Sequence, residues 1–243
     1  MNAPENSTLP PLFAIVGCDG SGKSTVSEAL LAWIKAYGPA ASAHLGKQQG
    51  NMSRSIGSWP IIGGVVGRFI EKKASTVRKS RTEKKAPTAL PGLVMHAFTQ
   101  RRVRRFRRML VLREQGYIIL ADRFPQLDIR SAFDGPDMEP DSTGSGFVQA
   151  LARREQTAFE WMTSYQPNLV IRLNVDLDTA CARKLDHPRA TLERKIGYAS
   201  LLTFGGANIV EIDANMPLEQ VVAAAKAAIE KTFDGLGYER PAT

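Results

Sequence analysis

The chain has 243 residues, of which 43% are hydrophobic and 23% charged, and this composition is typical of a soluble globular protein with one α/β domain. The sequence shows neither a signal peptide nor a bilayer-crossing segment, and its two cysteines, Cys18 and Cys181, lie far apart, so we expect a cytoplasmic protein. The formal net charge of +8 indicates an anionic partner such as a nucleotide, a nucleic acid, an acidic polymer or a lipid headgroup.

The first third of the chain predicts two strands, with a loop and a helix between them. Residues 12–16 are a short apolar run that ends at a glycine, which is typical of a buried parallel strand. Residues 23–36 follow with helical spacing, and residues 40–45 predict the second strand. Residues 46–92 have no regular pattern, and the polar, basic part over residues 74–92 predicts an exposed insertion.

The rest of the chain predicts an alternation of helices and strands. Helices are predicted over residues 93–115, 147–165, from Asp176 or Asp178 to residue 184, 191–203 and 218–233. Strands are predicted over residues 117–121, 169–175 and 209–212. The alternation predicts a parallel sheet of five strands, covered by helices on both faces, within a single domain over residues 1–243.

A glycine-rich loop lies between the first predicted strand and the first predicted helix. Gly17, four intervening residues and Gly22-Lys23-Ser24 complete the phosphate-loop pattern. The glycines let backbone N–H groups point at phosphate oxygens, Lys23 reaches the outer phosphates, and the Ser24 hydroxyl can ligate Mg²⁺. We therefore predict that this loop binds a nucleotide. The predicted contacts are Gly17, Asp19, Gly20, Ser21, Gly22, Lys23, Ser24 and Thr25, with Arg183 from a later segment.

Other classes of phosphate-loop protein match less well. A GTPase needs a base-recognition motif of the N/TKxD type, and the sequence has none. A motor ATPase typically has an aliphatic strand that ends in two acids, whereas "IILADR" ends in one acid followed by arginine. Asp122 at this strand end is placed either to hold the metal through a water or to orient an acceptor hydroxyl. The planar guanidinium of Arg123 is suited to bridging donor and acceptor phosphates.

Several segments resemble thymidylate kinases. "ADRF" at residues 121–124 resembles their DR[YFH] motif, and "CDGSGKST" resembles their acidic phosphate loop, with Asp19 in the acidic position. "VIRLNVDLDTACARK" at residues 170–184 is similar to the strand and helix that lead to their lid, and "IVEIDANMPLEQVVAAAKAAI" to their final strand and helix. "AFTQRR" at residues 97–102 lies where the family carries an acceptor-site arginine. The resemblance covers most of the chain apart from residues 46–92.

This resemblance implies a phosphate-loop kinase fold with a lid over residues 183–195, and a homodimer. It implies ATP as phosphoryl donor, Mg²⁺ as cofactor and a small-molecule acceptor, with nucleoside monophosphates as the first choice. It also implies that Asp19 contacts the acceptor's sugar and that Arg101 or Arg102 contacts the acceptor. The predicted acceptor-binding residues are therefore Asp19, Arg101, Arg102 and Arg123, and the predicted metal-binding residues are Ser24 and Asp122.

The phosphate loop has no arginine of its own. Some relatives carry a catalytic arginine there, but the variable positions are Cys18, Asp19, Gly20 and Ser21. Cations from another segment then have to neutralise the negative charge of the transition state. The basic lid is the candidate, since its closure would also exclude water. The predicted catalytic residues are Lys23, Asp122, Arg123, Arg189 and Arg194.

Two segments beside the predicted acceptor site depart from the thymidylate kinase pattern. "HLGKQQGN" at residues 44–51 stands where the family has an "REPGG"-like segment, and "PQLDIRSAFDGPDMEPDSTG" follows the DRF motif. The acids of the second segment either bind hydroxyl groups, as on a sugar, or form a solvated loop. The acceptor therefore stays open between a nucleoside monophosphate, a nucleoside and a sugar derivative. The three histidines, His44, His96 and His187, lack the spacing of metal ligands, so no role is predicted for them.

A different class of function also stays open. Seven arginines lie within residues 101–113, and a second basic cluster occupies residues 72–85. These residues are either acceptor-site and surface charge or a patch for a membrane surface or an anionic polymer. On the second hypothesis the protein is a nucleotide-dependent binding or scaffold protein.

Overall fold

A computed structural model describes residues 9–46, 89–141 and 145–239, so nearly all of the predicted basic insertion lies outside the described residues. The strands are β1 (Leu12–Gly17), β2 (Ala40–His44), β3 (Ile118–Asp122), β4 (Leu169–Asn174) and β5 (Ile209–Asp213). The helices are α1 (Lys23–Ile34), α2 (Ala89–Glu114), α3 (Gly146–Thr163), α4 (Leu177–Arg183), α5 (Arg189–Ala199) and α6 (Leu218–Gly235).

The five strands form one parallel sheet in the order β2-β3-β1-β4-β5, which confirms the predicted α/β fold. Strand β1 lies at the centre, and its neighbours β3 and β4 are separated from it in sequence by helices. Strand β1 is apolar along its whole length, and the buried residues of β3 and β4 are apolar apart from Arg172, because both faces of a parallel sheet are covered. Since all strands run the same way, the phosphate loop after β1 and the motif at the end of β3 meet at one edge of the sheet.

Alternating side chains of β1 divide the hydrophobic core into two layers. Phe13 and Ile15 point to the layer that contains α1 and α6, where Phe233 packs edge-on against Phe13 with ring centroids 5.3 Å apart. Leu12 and Ala14 point to the opposite layer, which α2 and α3 cover. The two helical layers fix β1 from both sides, so the loop that follows it starts from a rigid position.

Some helix boundaries differ from those predicted. Helix α2 begins at Ala89, four residues before the predicted start, because Pro91 is tolerated in a first helical turn, where its missing N–H has no partner to lose. Helix α5 begins at Arg189 after Pro188 and ends at Ala199, four residues before the predicted end at residue 203. In the ranges that the structure describes, no helix has the length and apolar character needed to cross a membrane.

Candidate functional site

The phosphate loop depends on glycine at three positions. Gly17 has φ 149°, and a Cβ there would lie 2.6 Å from the Leu173 carbonyl oxygen. Gly20 has φ 90°, with its Cβ position 3.1 Å from the backbone of Ala180, and Gly22 has φ 84° at the N-cap of α1. The loop thus turns tightly from β1 into α1, whose first backbone N–H groups have no partner within the helix and are available to an anion.

Lys23 is folded back onto this loop. Its side chain is buried, and Nζ donates a hydrogen bond of 2.6 Å to the Cys18 carbonyl oxygen, which also accepts one of 3.0 Å from Ser21 Oγ. Burial, followed by the nearby Arg123 guanidinium, lowers the pKa of Lys23 to about 8, against the opposite effect of Asp19. A phosphate group at the loop would restore the favourable environment of this ammonium group. Ser24 and Thr25 are exposed beside it in the first turn of α1.

Asp19 is the most heavily paired group of the loop. Its Oδ1 lies 3.4 Å from Arg123 Nη2, and its Oδ2 contacts Lys195 Nζ and lies 3.7 Å from His187 Nε2. Burial alone would raise the pKa of Asp19, but the hydrogen bond and charge of Lys195, followed by Lys23 and Arg123, lower it to about 2. The structure therefore brings together the predicted acceptor contacts Asp19 and Arg123, and joins them to the predicted lid.

Arg123 is held in a strained backbone conformation. Its φ of 67° is in the left-handed region, which costs a non-glycine residue about 1 kcal/mol or more. Its N–H donates to the Ile15 carbonyl oxygen at 3.0 Å, and its side chain lies against Gly46, where a Cβ would collide with it. Nη1 lies 3.9 Å from Asp134 Oδ2. The strain directs the guanidinium towards the phosphate loop rather than along the strand.

His44 and Asp122 form a pair that the sequence pattern did not reveal. They are the last residues of β2 and β3 and lie opposite each other in the parallel register. His44 Nδ1 is 2.6 Å from Asp122 Oδ2, while Asp122 Oδ1 is buried and has no hydrogen-bond partner among the described residues. Burial would raise the pKa of Asp122, but the hydrogen bond and charge of His44, with Arg123, lower it. Only the register of the sheet, not the spacing in the chain, connects the two residues.

The predicted acceptor arginines have different environments. Arg102 is buried, and its Nη1 and Nη2 donate to the carbonyl oxygen and Oδ1 of Asp134 at 2.9 and 3.0 Å. Arg101 is exposed at the rim of a cavity that Phe98 and Phe159 also line. Arg102 is thus placed to support Asp134, and Arg101 is the one of the two whose side chain reaches the surface.

The acidic segment after the DRF motif contributes mainly to internal structure. Asp128 accepts hydrogen bonds of 2.8 and 3.1 Å from the backbone N–H groups of Thr203 and Phe204. Asp134 is buried between Arg102 and Arg123. Asp134 is therefore a buried structural residue, whereas Asp128, Glu139 and Asp141 are exposed, and the binding of hydroxyl groups by this segment stays a prediction.

Three side chains of the lid segment reach the phosphate loop. Arg183 Nη1 donates to the carbonyl oxygens of Gly20 and Ala214 at 3.2 and 3.0 Å, and Lys195 and His187 contact Asp19. Arg189 is bound instead to Asp178 at 2.8 Å and is 61% exposed, and Arg194 is exposed. The structure does not bring the two predicted lid arginines to the loop, so their catalytic role stays a prediction.

A metal ion would need ligands beyond the side chains of this site. Within residues 9–46, 89–141 and 145–239, no group of three histidine, cysteine, aspartate or glutamate side chains is arranged to hold one. Mg²⁺ typically keeps several waters and takes its other ligands from one or two side chains and from nucleotide phosphates. The exposed hydroxyl of Ser24 and the unpartnered Oδ1 of Asp122 fit that kind of site, the second through a metal-bound water.

The phosphate loop at the end of the central strand, inside a five-stranded parallel sheet, defines a phosphate-loop nucleotide-binding protein with a kinase-type fold. No protein-family model matches the chain. It is 38% identical over 225 residues to a protein of Escherichia coli K12 named "Uncharacterized ATP-binding protein YghS". The aligned region covers 92% of this chain and 94% of that protein. It is 33% identical over 228 residues to "Uncharacterized ATP-binding protein YghR" of the same strain, covering 93% and 90%. The chain belongs to the nucleotide-binding family of these two proteins.

Proposed function

We propose that the protein is an ATP- and Mg²⁺-dependent phosphotransferase that acts on a small-molecule acceptor. We choose ATP as the phosphoryl donor because both relatives are named as ATP-binding proteins. The observation that carries the proposal is the position of Arg123, whose strained backbone holds a guanidinium 3.4 Å from Asp19 at the mouth of the phosphate loop. A second cation beside Lys23, at the end of a neighbouring strand, is suited to neutralising the charge of a phosphoryl group in transfer.

The chain's own residues would divide the work of phosphoryl transfer. The N–H groups of the loop and of the first turn of α1 would hold the β- and γ-phosphates, and Lys23 would turn from the Cys18 carbonyl oxygen to the outer phosphates. Arg123 would neutralise charge shared between donor and acceptor. Mg²⁺, held by Ser24 and by a water on Asp122, would offset the remaining phosphate charge.

The lid would complete the neutralisation of charge. Lys195 and Arg183 lie at the phosphate loop, so they are the cations that need to move least to reach a transferred phosphoryl group. Arg189 and Arg194 would need the lid to shift before they could contact it. Closure of this segment over the nucleotide would exclude water and suppress hydrolysis.

The acceptor class has two candidates. The thymidylate kinase resemblance favours a nucleoside monophosphate, and Arg101 at the rim of the cavity beside α2 is consistent with a negatively charged acceptor. The His44–Asp122 pair favours an acceptor hydroxyl, as on a nucleoside or a sugar derivative. A homodimer, also implied by the resemblance, would be tested by sedimentation equilibrium.

The proposal is tested by ADP release in the presence of ATP, Mg²⁺ and a panel of nucleosides, nucleoside monophosphates and sugars. We expect at least one acceptor to stimulate release, and Lys23→Ala to abolish that stimulation. Lys35→Ala is the matched control, because Lys35 is an exposed lysine at the far end of α1. If no acceptor stimulates release and Lys23→Ala changes only nucleotide binding, the phosphotransferase proposal is wrong.

A nucleotide-dependent binding protein is the second candidate. Helix α2 exposes Arg101, Arg104, Arg107 and Arg108, which could contact an anionic polymer or membrane surface. Arg107 also lies over the Trp161 ring at 5.6 Å from its centroid, so part of this charge has a structural use. Acceptor-independent ADP release, together with salt-sensitive binding to anionic vesicles or RNA, would favour this second function.

A further inference from the structure

Arg123 can act at the phosphate loop only while its long side chain keeps one path across the end of the sheet. We propose that Arg105 of helix α2 is the positioning residue that keeps it on this path, through the turn that follows β2. This inference rests on the proposed phosphotransferase function and adds a residue that acts on the reaction through Arg123. In this role Arg105 touches neither the nucleotide nor the acceptor.

The turn after β2 is held by the guanidinium of Arg105. Its Nη1 donates a hydrogen bond of 3.0 Å to the His44 carbonyl oxygen, and its Nη2 donates one of 3.0 Å to the Gly46 carbonyl oxygen. Between these two residues, the N–H of Leu45 donates to the Asp122 carbonyl oxygen at 3.1 Å. Since the planar fork of an arginine binds two acceptors at once, the turn is fixed between α2 and the end of β3.

Gly46 lies directly against the aliphatic part of the Arg123 side chain. A Cβ at residue 46 would be 2.2 Å from Arg123 Cδ and 3.0 Å from Arg123 Nε, so the two could not coexist in these positions. The backbone of Gly46 does not have a positive φ, so the turn itself does not require a glycine. The missing side chain at residue 46 therefore gives Arg123 its path.

The two ends of Arg123 are restrained by other groups. Its backbone N–H donates to the Ile15 carbonyl oxygen at 3.0 Å. At the far end, Nη2 lies 3.4 Å from Asp19 Oδ1 and Nη1 lies 3.9 Å from Asp134 Oδ2. The turn at Gly46 restrains the stretch between these ends. If the turn moved, the guanidinium could leave the phosphate loop although its backbone stayed in place.

Electrostatics does not favour the position of Arg105. Burial lowers the pKa of Arg105, as do the charges of Arg102 and Arg101, and Asp134 opposes them with a smaller effect. Its Nε is buried and has no hydrogen-bond partner among the described residues. The guanidinium is thus kept in an unfavourable environment, where its two hydrogen bonds hold the turn.

A direct contact with the acceptor is the alternative role of Arg105, because its side chain also lines the cavity beside α2. Both of its terminal nitrogens are already bound to carbonyl oxygens, which favours the positioning role. The two roles predict different kinetics. Loss of a direct contact raises KM for the acceptor whether or not Arg123 is present. Loss of a positioning residue lowers kcat, and this effect disappears once the side chain of Arg123 is removed.

The test is a double-mutant cycle of Arg105→Ala and Arg123→Ala, with Gly46→Ala as a second way to displace the same side chain. Transfer of phosphate from ATP to the active acceptor gives kcat and KM. We expect Arg105→Ala and Gly46→Ala each to lower kcat by about tenfold to 10²-fold, with KM for ATP changed less than about twofold. In the Arg123→Ala background, each should change kcat by less than about twofold.

Two further variants make the comparison specific. Arg105→Lys keeps the charge without the planar fork, so its loss of kcat should be smaller than that of Arg105→Ala. Arg153→Ala is the matched control, because Arg153 is an exposed arginine of the neighbouring helix α3, and it should behave as the wild type.

Crystal structures of the same variants give a readout that needs no turnover. We expect the Arg123 guanidinium to move by about 1 Å or more away from Asp19 in Arg105→Ala and in Gly46→Ala, and to keep its place in Arg153→Ala. If it keeps its place in Arg105→Ala, the positioning role is wrong.

The remaining outcomes separate this inference from the function on which it rests. Equal losses of kcat with and without the Arg123 side chain, or a raised acceptor KM at unchanged kcat, would also overturn the positioning role. If Arg123 is displaced in Arg105→Ala but the protein phosphorylates no acceptor, the phosphotransferase proposal falls, whereas the positioning of Arg123 by Arg105 stands.

Discussion

The ammonium group of Lys195 contacts the carboxylate of Asp19, so helix α5 is tied to the phosphate loop although 176 residues separate the two in sequence. The same carboxylate also contacts Arg123 from the end of β3. Asp19 thus joins three segments at the point where the outer phosphates of a nucleotide would lie. The contact gives a specific reason to expect that the lid and the loop act together.

The first prediction concerns which lid cation acts in catalysis. Because Lys195 lies at the loop and Arg189 is bound to the exposed Asp178, we expect Lys195→Ala to lower kcat by about tenfold or more, with little change in ATP affinity. Arg189→Ala, which also removes a cation from the same helix, should lower kcat by less than threefold. Steady-state kinetics and calorimetry measure the two quantities. A larger loss in Arg189→Ala or Arg194→Ala would show that the lid rearranges and that the arginines chosen from sequence are the catalytic ones.

The second prediction concerns pH. With the pKa of Lys23 lowered to about 8, free protein loses this charge as the pH rises through 8, whereas bound phosphates hold the proton on the lysine. Nucleotide affinity should therefore fall above pH 8, with up to one proton taken up on binding. Calorimetry at pH 8.5 in two buffers of different ionisation enthalpy measures that uptake. The Lys23→Arg variant, whose guanidinium cannot deprotonate in this range, should bind the nucleotide without proton uptake. Equal binding heats in both buffers for the wild type would contradict the prediction.

A third prediction concerns the buried carboxylate of Asp134. Its neutralisation leaves the buried Arg102 guanidinium without the carboxylate to which it is hydrogen-bonded, so we expect Asp134→Asn to lower the free energy of unfolding by about 3 kcal/mol. Glu139→Gln is the control, because that carboxylate is exposed and 3.6 Å from Arg130, and it should cost less than 1 kcal/mol. Urea denaturation measures both variants. Equal stability of the two would mean that the buried pair contributes nothing.

The fourth prediction concerns the loop glycines. Gly17→Ala places a Cβ 2.6 Å from the Leu173 carbonyl oxygen, whereas Gly22→Ala meets no atom within 4 Å. Both residues have positive φ, so each substitution carries a conformational cost of about 1 kcal/mol, and only the first adds a steric collision with backbone. Thermal unfolding should therefore show a clearly lower Tm for Gly17→Ala than for Gly22→Ala. The reverse order would mean that the loop has another conformation.

The sequence predicted the fold well because its signals are local. Continuous apolar runs mark buried parallel strands, and the glycine pattern before α1 requires its own backbone geometry. The His44–Asp122 pair could not be predicted in this way, since it depends on the register of β2 against β3. The environments of Arg101 and Arg102 also needed the structure, because the face of α2 that is buried cannot be read from a run of arginines.

The sequence also could not predict the structural role of the acidic segment that follows the DRF motif. Asp134 was one of several acids in a loop without a motif, and nothing in the sequence distinguished it from an exposed residue such as Glu139. Its function follows from its burial between Arg102 and Arg123, which come from two other segments. Long-range ion pairs of this kind follow from the packing of elements and not from the spacing of residues.

The central claim is that the bound phosphate is transferred rather than only held. Its most direct test uses ATP that carries radioactive phosphorus at the γ position. This ATP is incubated with Mg²⁺, the acceptor panel and either the wild-type protein or the Arg123→Ala variant, and the label is followed into the products. We predict that the label appears in an organic product with the wild type and that its rate of appearance falls by at least about 10²-fold in Arg123→Ala. Label found only in ATP and inorganic phosphate, at equal rates with both proteins, would contradict the account.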